Sequence, residues 1–137
     1  MKKKVFCAGS FDLLTSGHIT FLQEAAKYGN LYVGIGNDES ILKFKGRKPV
    51  CPEAERLFMV KALACVEDCW INSGQGQMDW INEVVELMPD ILIVNEDQDT
   101  TAKWIFCQKH GIEYIVLKRK QLPGLPARST TELRKLL

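Results

Sequence analysis

The sequence predicts an α/β protein in which helices cover both faces of a parallel sheet. Short apolar runs of strand length alternate with longer segments whose apolar residues recur every three or four positions. The alternation continues along the whole chain, and strands joined through helices pair in parallel. With 137 residues, of which 46% are hydrophobic and 26% charged, the chain has the size and composition of one globular domain, residues 1–137.

Each element is predicted from its own pattern. Five apolar runs indicate strands, at residues 4–8, 31–36, 69–71, 90–94 and 113–117. The segments between them carry helix signals, such as Pro52 at a first turn and Gly29 and Gly111 just after helix ends. They predict helices at residues 17–28, 52–65, 79–88, 100–110 and 130–137. The basic stretch 42–49 is predicted to be a loop.

The strand order follows from chain connectivity. Right-handed crossovers leave few arrangements for five parallel strands, and we predict the order 3-2-1-4-5, a Rossmann-like three-layer α/β/α sandwich. Ligands of such sheets bind outside the carboxyl ends of the strands, beside strand one, where the order reverses. A functional site is therefore expected after Ala8, after Gly36, after Val94 and near the last loop.

Charge and composition exclude several functional classes. The formal net charge of +1 provides no extended basic surface, so no nucleic-acid partner is expected. No apolar run approaches the roughly 20 residues of a membrane-spanning helix. The apolar run after the N-terminal lysines is too short for a signal peptide, so we expect a cytoplasmic protein without membrane partners. The five cysteines lack Cys-x-x-Cys spacing, which indicates buried, reduced thiols.

The segment that follows the first strand has the features of a phosphate site. Gly9 permits a sharp turn at the end of a buried strand. Gly17 and His18 open a helix whose free N–H groups and dipole favour an anion, and the histidine can donate to a phosphate oxygen. A glycine-containing turn with a capping histidine explains the same residues, and the pattern alone leaves both interpretations open.

Two motifs that lie far apart in the chain carry a resemblance to a known family. Gly9-Ser10-Phe11-Asp12 followed by Thr15-Ser16-Gly17-His18 resembles the first motif of the cytidylyltransferase-like nucleotidyltransferases, His-x-Gly-His or Thr-x-Gly-His. Ser129-Thr130-Thr131-Glu132-Leu133-Arg134 resembles their second motif, Ser-Ser/Thr-Thr-x-x-Arg or Lys, at the start of the last helix. The resemblance covers essentially the whole chain. The length and the second motif of the chain most resemble those of the glycerol-3-phosphate cytidylyltransferase branch.

The resemblance implies transfer of CMP from CTP to a phosphorylated small molecule (a polyol, sugar or alcohol phosphate) with release of pyrophosphate. An acceptor phosphate oxygen would attack the α-phosphorus without a general base, so catalysis relies on positioning and charge neutralisation, with Mg²⁺ as the expected cofactor. The metal ligands are not predicted. Thr15 stands where cytidylyltransferases have histidine, as in pantetheine-phosphate adenylyltransferases. An adenylyltransferase that uses ATP and a non-catalytic nucleotide-binding module are therefore the alternatives.

The resemblance also implies roles for individual residues. The expected catalytic residues are His18, Thr15, Lys45 and Arg134. The expected nucleotide-binding residues are Gly9, Ser10, Phe11, Gly17, His18, Arg119, Ser129, Thr130 and Thr131. The expected acceptor-binding residues are Asp12, Asp38, Lys43 and Arg56. Without the resemblance, the lysines belong to a solvated basic run, Asp38 to a turn and Arg56 to an exposed helix surface.

We also expect a homodimer. Trp70 and Trp80 are predicted to lie at the sheet edge away from the nucleotide, where Met78 and Cys69 add apolar area. The alternative is that both tryptophans belong to the core. The family resemblance favours a dimer, because relatives that resemble this chain are commonly dimeric and most such assemblies have closed two-fold symmetry.

Overall fold

Strands and helices alternate along the chain in the computed structural model, which describes residues 2–128 and 130–137. The strands are β1 Lys4–Gly9, β2 Asn30–Ile35, β3 Asp68–Ile71, β4 Ile91–Asn95 and β5 Glu113–Leu117. The α-helices are α1 Ser16–Ala26, α2 Asp38–Lys45, α3 Glu53–Lys61, α4 Ile81–Leu87, α5 Thr101–His110 and α6 Thr130–Leu136. A 3₁₀ turn, Glu96–Gln98, follows β4.

The sheet is parallel and its strand order is β3-β2-β1-β4-β5, which confirms the predicted Rossmann-like α/β fold. The central strand β1 pairs with β2 on one side and with β4 on the other, so that Val5 faces both Leu31 and Ile91. The chain turns from one half of the sheet to the other at β1. The carboxyl ends of β1 and β4 therefore form the crevice in which a ligand was expected.

Two hydrophobic cores lie on opposite faces of the sheet, because successive strand residues point to opposite sides. Val5 and Cys7 of β1 belong to the core that also contains residues of α1 and α3. Phe6 of β1 belongs to the other core, with Trp80, Val84 of α4 and Phe106 of α5. The helices thus form a layer on each face, as the alternating pattern predicts.

The basic stretch differs from its prediction as a loop. Its first half belongs to α2, where the Asn37 side chain accepts a hydrogen bond from the Ser40 backbone N–H at 2.7 Å. Asp38 lies in the first turn and Lys45 in the last, so that each charge interacts favourably with the helix dipole. A short helix with few apolar residues has too weak a periodicity to be recognised. Helix α3 also ends four residues before the predicted position.

The tryptophan prediction is wrong for Trp80, whereas Trp70 lies on the edge strand β3 as predicted. Trp80 is 2% exposed and packs against Phe6 and Phe106, with ring centroids 5.9 and 5.1 Å apart. Trp70 is partly buried and stacks on Phe6 at 6.1 Å. Aromatic neighbours on β1 and α5 cover both rings, which therefore belong to the second core. The homodimer stays a prediction without support from these two residues.

One negative finding concerns membranes. Among residues 2–128 and 130–137, no helix has both the length and the apolar content that crossing a bilayer requires.

Candidate functional site

A cavity of about 490 Å³ opens at the carboxyl ends of the strands. This volume is typical of small-molecule sites. Its wall combines the loop after β1, the start of α1, the end of α2, the segment after β4 and the last loop. The structure brings together here most residues that were expected to act on the nucleotide: Gly9, Ser10, Phe11, Thr15, Gly17, His18, Lys45, Arg119, Thr130 and Thr131. Ser129, the remaining nucleotide-binding candidate, lies outside the described residues.

Thr15 fixes the orientation of the His18 ring. The Thr15 backbone N–H donates to His18 Nδ1 at 3.0 Å, and the His18 backbone N–H donates to Thr15 Oγ1 at 3.4 Å. These reciprocal bonds form a capping box at the first turn of α1. Because Nδ1 accepts a hydrogen bond, the neutral ring carries its proton on Nε2. That N–H is available as a donor in the cavity wall.

The surroundings of His18 favour its neutral form. Burial lowers the pKa of His18 below its ordinary value of 6.5, and the positive charges of Arg119 and Lys45 lower it further. Protonation would also place a proton on Nδ1, opposite the Thr15 N–H. At neutral pH, His18 is therefore an uncharged hydrogen-bond donor, oriented by Thr15 and surrounded by cations that attract a polyphosphate.

The loop between β1 and α1 has a tight and strained backbone. Phe11 and Leu13 adopt the left-handed conformation with φ of 50° and 52°. The Phe11 ring crosses over Gly9 so closely that a Cβ on Gly9 would lie 2.8 Å from it. The same ring meets the His18 ring edge-on at 5.6 Å. Because Gly9 has no side chain, the Phe11 ring can lie over it and contact the His18 ring.

Asp12 joins this loop to two other parts of the chain. Its buried carboxylate accepts hydrogen bonds from the backbone N–H groups of Val50 and Cys51, at 2.8 and 2.9 Å. It also pairs with the Arg134 guanidinium of α6, and the Asp12 carbonyl accepts from Thr130 Oγ1 at 2.9 Å. The expected acceptor role of Asp12 is therefore replaced by a structural one, which holds the amino-terminal end of α6 at the cavity.

The other acceptor candidates, Asp38, Lys43 and Arg56, also lie outside the cavity wall. Arg56 is 0% exposed and donates to the Ser10 carbonyl at 2.7 Å, the Cys51 carbonyl at 2.9 Å and Asp38 at 2.8 Å. Lys43 lies on the surface, 3.2 Å from Glu39. An arginine with all of its bonds inside the protein cannot reach a ligand, so the prediction for Arg56 is corrected to a structural role.

Positive charge nevertheless surrounds the cavity. Arg119 lies after β5 and forms an ion pair with Asp97 at 2.5 Å. Desolvation lowers the pKa of Lys45, and the nearby cations Arg47 and Arg134 act in the same direction. Arg134 itself does not line the cavity and is held by Asp12. Of the four expected catalytic residues, Thr15, His18 and Lys45 thus line the cavity together, whereas Arg134 does not line it.

Sequence reasoning missed several charged residues of the cavity wall, among which Asp79 and Lys103 are the buried ones. Both are buried, at 4% and 6% exposure. Asp79 lies just before a helix, where an acidic residue is usually explained by capping, and Lys103 lies on a helix where a lysine is usually a surface residue, so neither pattern gave a functional signal. Only the packing of α4 and α5 against the sheet brings them to the ligand crevice.

Magnesium is the cofactor that the family resemblance implies. The described parts of the chain contain no group of three or more His, Cys, Asp and Glu side chains that could hold a metal ion. Asp97, an acidic residue of the cavity wall, pairs with Arg119. These residues do not form a magnesium site by themselves. In nucleotide enzymes, Mg²⁺ usually keeps several waters and is bound largely through substrate phosphates.

A family model described as cytidylyltransferase-like matches residues 6–136, nearly the whole chain. The chain belongs to the cytidylyltransferase-like family. It is therefore a nucleotidyltransferase by family, and the cavity contains the first motif of that family with Thr15, Gly17 and His18.

Two curated relatives of this family member are archaeal proteins named FAD synthase. The protein of Methanocella paludicola is 35% identical over 134 residues, which cover 96% of this chain and 93% of the relative. The protein of Methanohalophilus mahii is 40% identical over 118 residues, which cover 84% of this chain and 80% of the relative. Both matches extend over most of the two chains.

Solved structures share the fold. A lipopolysaccharide core biosynthesis protein from Thermoplasma volcanium aligns with a TM-score of 0.73 and 27% identity, over 89% of this chain and 99% of that one. A pantoate-β-alanine ligase from Francisella tularensis aligns with a TM-score of 0.60 over 97% of this chain and 68% of that one. Its identity of 13% supports a common fold alone.

Proposed function

We propose that this protein transfers the AMP group of ATP to the phosphate of FMN, forming FAD and pyrophosphate. The observation that carries the proposal is the similarity to two proteins named FAD synthase, one of them aligned over 96% of this chain. It favours the ATP alternative over the CTP reaction expected from the sequence. The Thr15-x-Gly17-His18 form of the first motif agrees, because adenylyltransferases of the resembled family carry the same threonine.

The acceptor remains within the chemical class that the sequence suggested. FMN is a polyol phosphate whose ribityl chain connects the phosphate to an aromatic ring. The cavity wall offers polar residues around the start of α1 and apolar residues over the sheet, including Leu92, Val94 and Trp80. This division matches a ligand with one charged end and one flat apolar end.

The proposed reaction is a single in-line displacement. An oxygen of the FMN phosphate forms a bond to the α-phosphorus of ATP as the bond to the β-phosphate oxygen breaks, and that oxygen retains the electron pair in the departing pyrophosphate. The attacking phosphate is already anionic, so no proton has to be removed. The chain's own contribution is to align the two substrates and to balance the developing negative charge.

His18 has the central role in this proposal. Its Nε2–H is the donor that follows charge on the phosphate oxygens, while Thr15 holds the ring in place through Nδ1. The free N–H groups at the start of α1, together with Lys45 and Arg119, favour the polyphosphate. Mg²⁺, when bound to the triphosphate, would supply further charge neutralisation, and no ligand for it is assigned on this chain.

Product analysis tests the proposal. The purified protein is incubated with Mg²⁺, FMN and either ATP or CTP, and flavin products are separated while pyrophosphate is quantified. We expect FAD and pyrophosphate in equal amounts from ATP. A flavin–cytidine dinucleotide formed in preference to FAD would restore the CTP interpretation. Binding of ATP without any product, with FMN or with glycerol 3-phosphate, would support the non-catalytic alternative.

A further inference from the structure

Helix α2 forms part of the cavity wall, on the side of the sheet that ends in β3. Ser40, Ile41, Phe44 and Lys45 line the cavity, and their spacing places them on one side of the helix. We call these four residues the α2 face. Ser40 and Ile41 are 3% and 6% exposed, whereas Phe44 is 56% exposed. The α2 face therefore runs from the interior of the protein to its surface, with Phe44 at the outer end.

Hydrogen bonds attach α2 to the turn that follows β3. Asn37 Nδ2 donates to the carbonyls of Asn72 and Gly74 at 2.9 and 2.8 Å, and Ser40 Oγ donates to the Gly74 carbonyl at 3.2 Å. The Asn37 side chain also caps the start of α2. The helix is thus held in position before a ligand arrives, which lowers the entropic cost of binding on its cavity side.

Phe44 is an aromatic ring that solvent reaches in the wall of this cavity. Among residues 2–128 and 130–137, none of the aromatic ring contacts involves Phe44. Gly76, in the turn after β3, lines the same cavity, and a Cβ on Gly76 would meet nothing within 4 Å. The Phe44 ring and the open space at Gly76 leave room for a flat apolar group at this end of the cavity.

The residue that follows Phe44 connects this end of the cavity to the expected reaction centre. Lys45 lies close enough to His18 for its charge to contribute to the lowered pKa of that ring. Arg119, the expected nucleotide contact, lines the cavity from the segment after β5, at the opposite edge of the sheet from β3. With the nucleotide beside Arg119, the α2 face lies on the acceptor's side of His18.

We propose that Phe44 is the platform on which the flat ring of the acceptor stacks, and that it makes the enzyme selective for acceptors with an aromatic ring. The inference rests on the proposed function and extends it to acceptor specificity. In FMN the ribityl chain separates the phosphate from the flavin ring, so that a phosphate beside His18 and Lys45 leaves the ring free to reach Phe44. Stacking covers the exposed face of Phe44 and removes apolar area of both rings from water.

An alanine substitution tests the role of Phe44. Phe58→Ala is the matched control, because Phe58 of α3 is 76% exposed and does not line the cavity. Calorimetry measures FMN binding in the presence of α,β-methylene-ATP, which cannot transfer its AMP group, and the binding of this analogue alone. We expect Phe44→Ala to weaken FMN binding by about tenfold or more without changing the affinity for the analogue. Phe58→Ala should behave as wild type. A loss confined to the analogue would assign Phe44 to the nucleobase and overturn the proposal.

A ligand without the ring tests the specificity. Ribitol 5-phosphate keeps the chain and the phosphate of FMN but lacks the flavin. The wild type should bind it at least about tenfold more weakly than FMN, and Phe44→Ala should reduce that difference by weakening only FMN binding. Equal affinities of the wild type for both ligands, or an equal loss for both in Phe44→Ala, would overturn the proposal.

Two conservative variants separate stacking from a general apolar contact. Phe44→Trp keeps an aromatic face and should retain FMN affinity, whereas Phe44→Leu keeps an apolar side chain without a ring and should lose most of what Phe44→Ala loses. Thermal melting establishes that each variant is folded. Wild-type FMN affinity in Phe44→Leu would contradict stacking.

The outcomes also separate this inference from the proposed function. If the wild type binds no FMN and forms no FAD, both proposals fail. If the wild type forms FAD from ATP and FMN while Phe44→Ala retains wild-type FMN affinity, only the inference about Phe44 fails.

Discussion

At the scale of single residues, the site depends on how Thr15 and His18 are arranged. Thr15 stands where cytidylyltransferases have a histidine, and its side chain cannot carry a positive charge. The Thr15 backbone N–H and hydroxyl instead orient the imidazole of His18, the histidine that the motif retains. Burial and the neighbouring cations Arg119 and Lys45 lower the pKa of His18, so the ring stays neutral and can act as the proposed donor. The geometry around His18 therefore favours a neutral hydrogen-bond donor over a charged imidazolium.

The first prediction concerns catalysis by His18. His18→Gln should lower kcat for FAD formation by about 10²–10³-fold, because it removes or displaces a preorganised donor to the reacting phosphate. The KM values should change much less. Steady-state pyrophosphate release measures both. The other histidine supplies the control: His110→Gln, at the end of α5, should retain the wild-type kcat, and a similar loss in both variants would contradict the prediction.

The second prediction uses the direction of the His18 pKa shift. Because the folded-state pKa lies below the ordinary value of 6.5, the unfolded chain binds the proton more readily than the folded chain. The contribution of His18 to the free energy of unfolding should thus fall as pH decreases below about 6.5. Chemical denaturation between pH 5 and 8 should give a smaller decline at low pH for His18→Gln than for the wild type. Parallel curves would contradict this sign.

At the scale of elements, buried arginine and aspartate side chains connect segments that are distant in sequence. Arg56 of α3 holds the loop after β1 through the Ser10 carbonyl and the start of α2 through Asp38. Asp12 holds α6 and the loop before α3. These contacts position the helix starts and loops that surround the cavity. Their functional effect is indirect, because none of the three charged side chains lines the cavity.

The third prediction tests the structural role of Arg56. Arg56→Met should lower the free energy of unfolding by about 1–3 kcal/mol, because it leaves the Ser10 and Cys51 carbonyls without their buried donor. Urea denaturation followed by circular dichroism measures the change. Arg47→Met, at an exposed position next to α2, should change stability by less than about 0.5 kcal/mol. If Arg56→Met were as stable as wild type but bound FMN weakly, the original acceptor role would be favoured.

At the scale of the whole molecule, exposed apolar residues remain although the tryptophans of the predicted dimer face lie within the fold. The described surface includes Trp104 and Ile105 of α5, which are 49% and 55% exposed. The dimer therefore rests on the family resemblance, and its interface is not assigned.

The fourth prediction is the oligomeric state. Light scattering at micromolar concentration should give a mass near twice the 15.5 kDa of one chain, because the family resemblance implies a dimer and most homo-oligomers are closed two-fold pairs. The measurement is repeated over a tenfold dilution with and without ATP. A mass of one chain under all these conditions would reject the dimer.

Local patterns in the sequence determined the order of strands and helices, the parallel sheet and the position of the first motif. These features depend on periodicity, on turn residues and on connectivity rules, all of which operate over short stretches of chain. Gly17 and His18 were thus assigned to a helix start from the sequence pattern alone. The short, polar helix α2 was missed because its periodicity is weak.

Tertiary structure decided which charged residues line the cavity. Arg56 and Asp12 look like surface or motif residues in the sequence, yet packing buries both, and backbone groups satisfy them. Conversely, packing brings Asp79, just before α4, and Lys103 of α5 into one cavity wall. The place of a charged residue in the sequence pattern does not show which distant backbone groups will form hydrogen bonds with it. That depends on three-dimensional neighbours, because the cost of burying a charge is set by the partners that surround it.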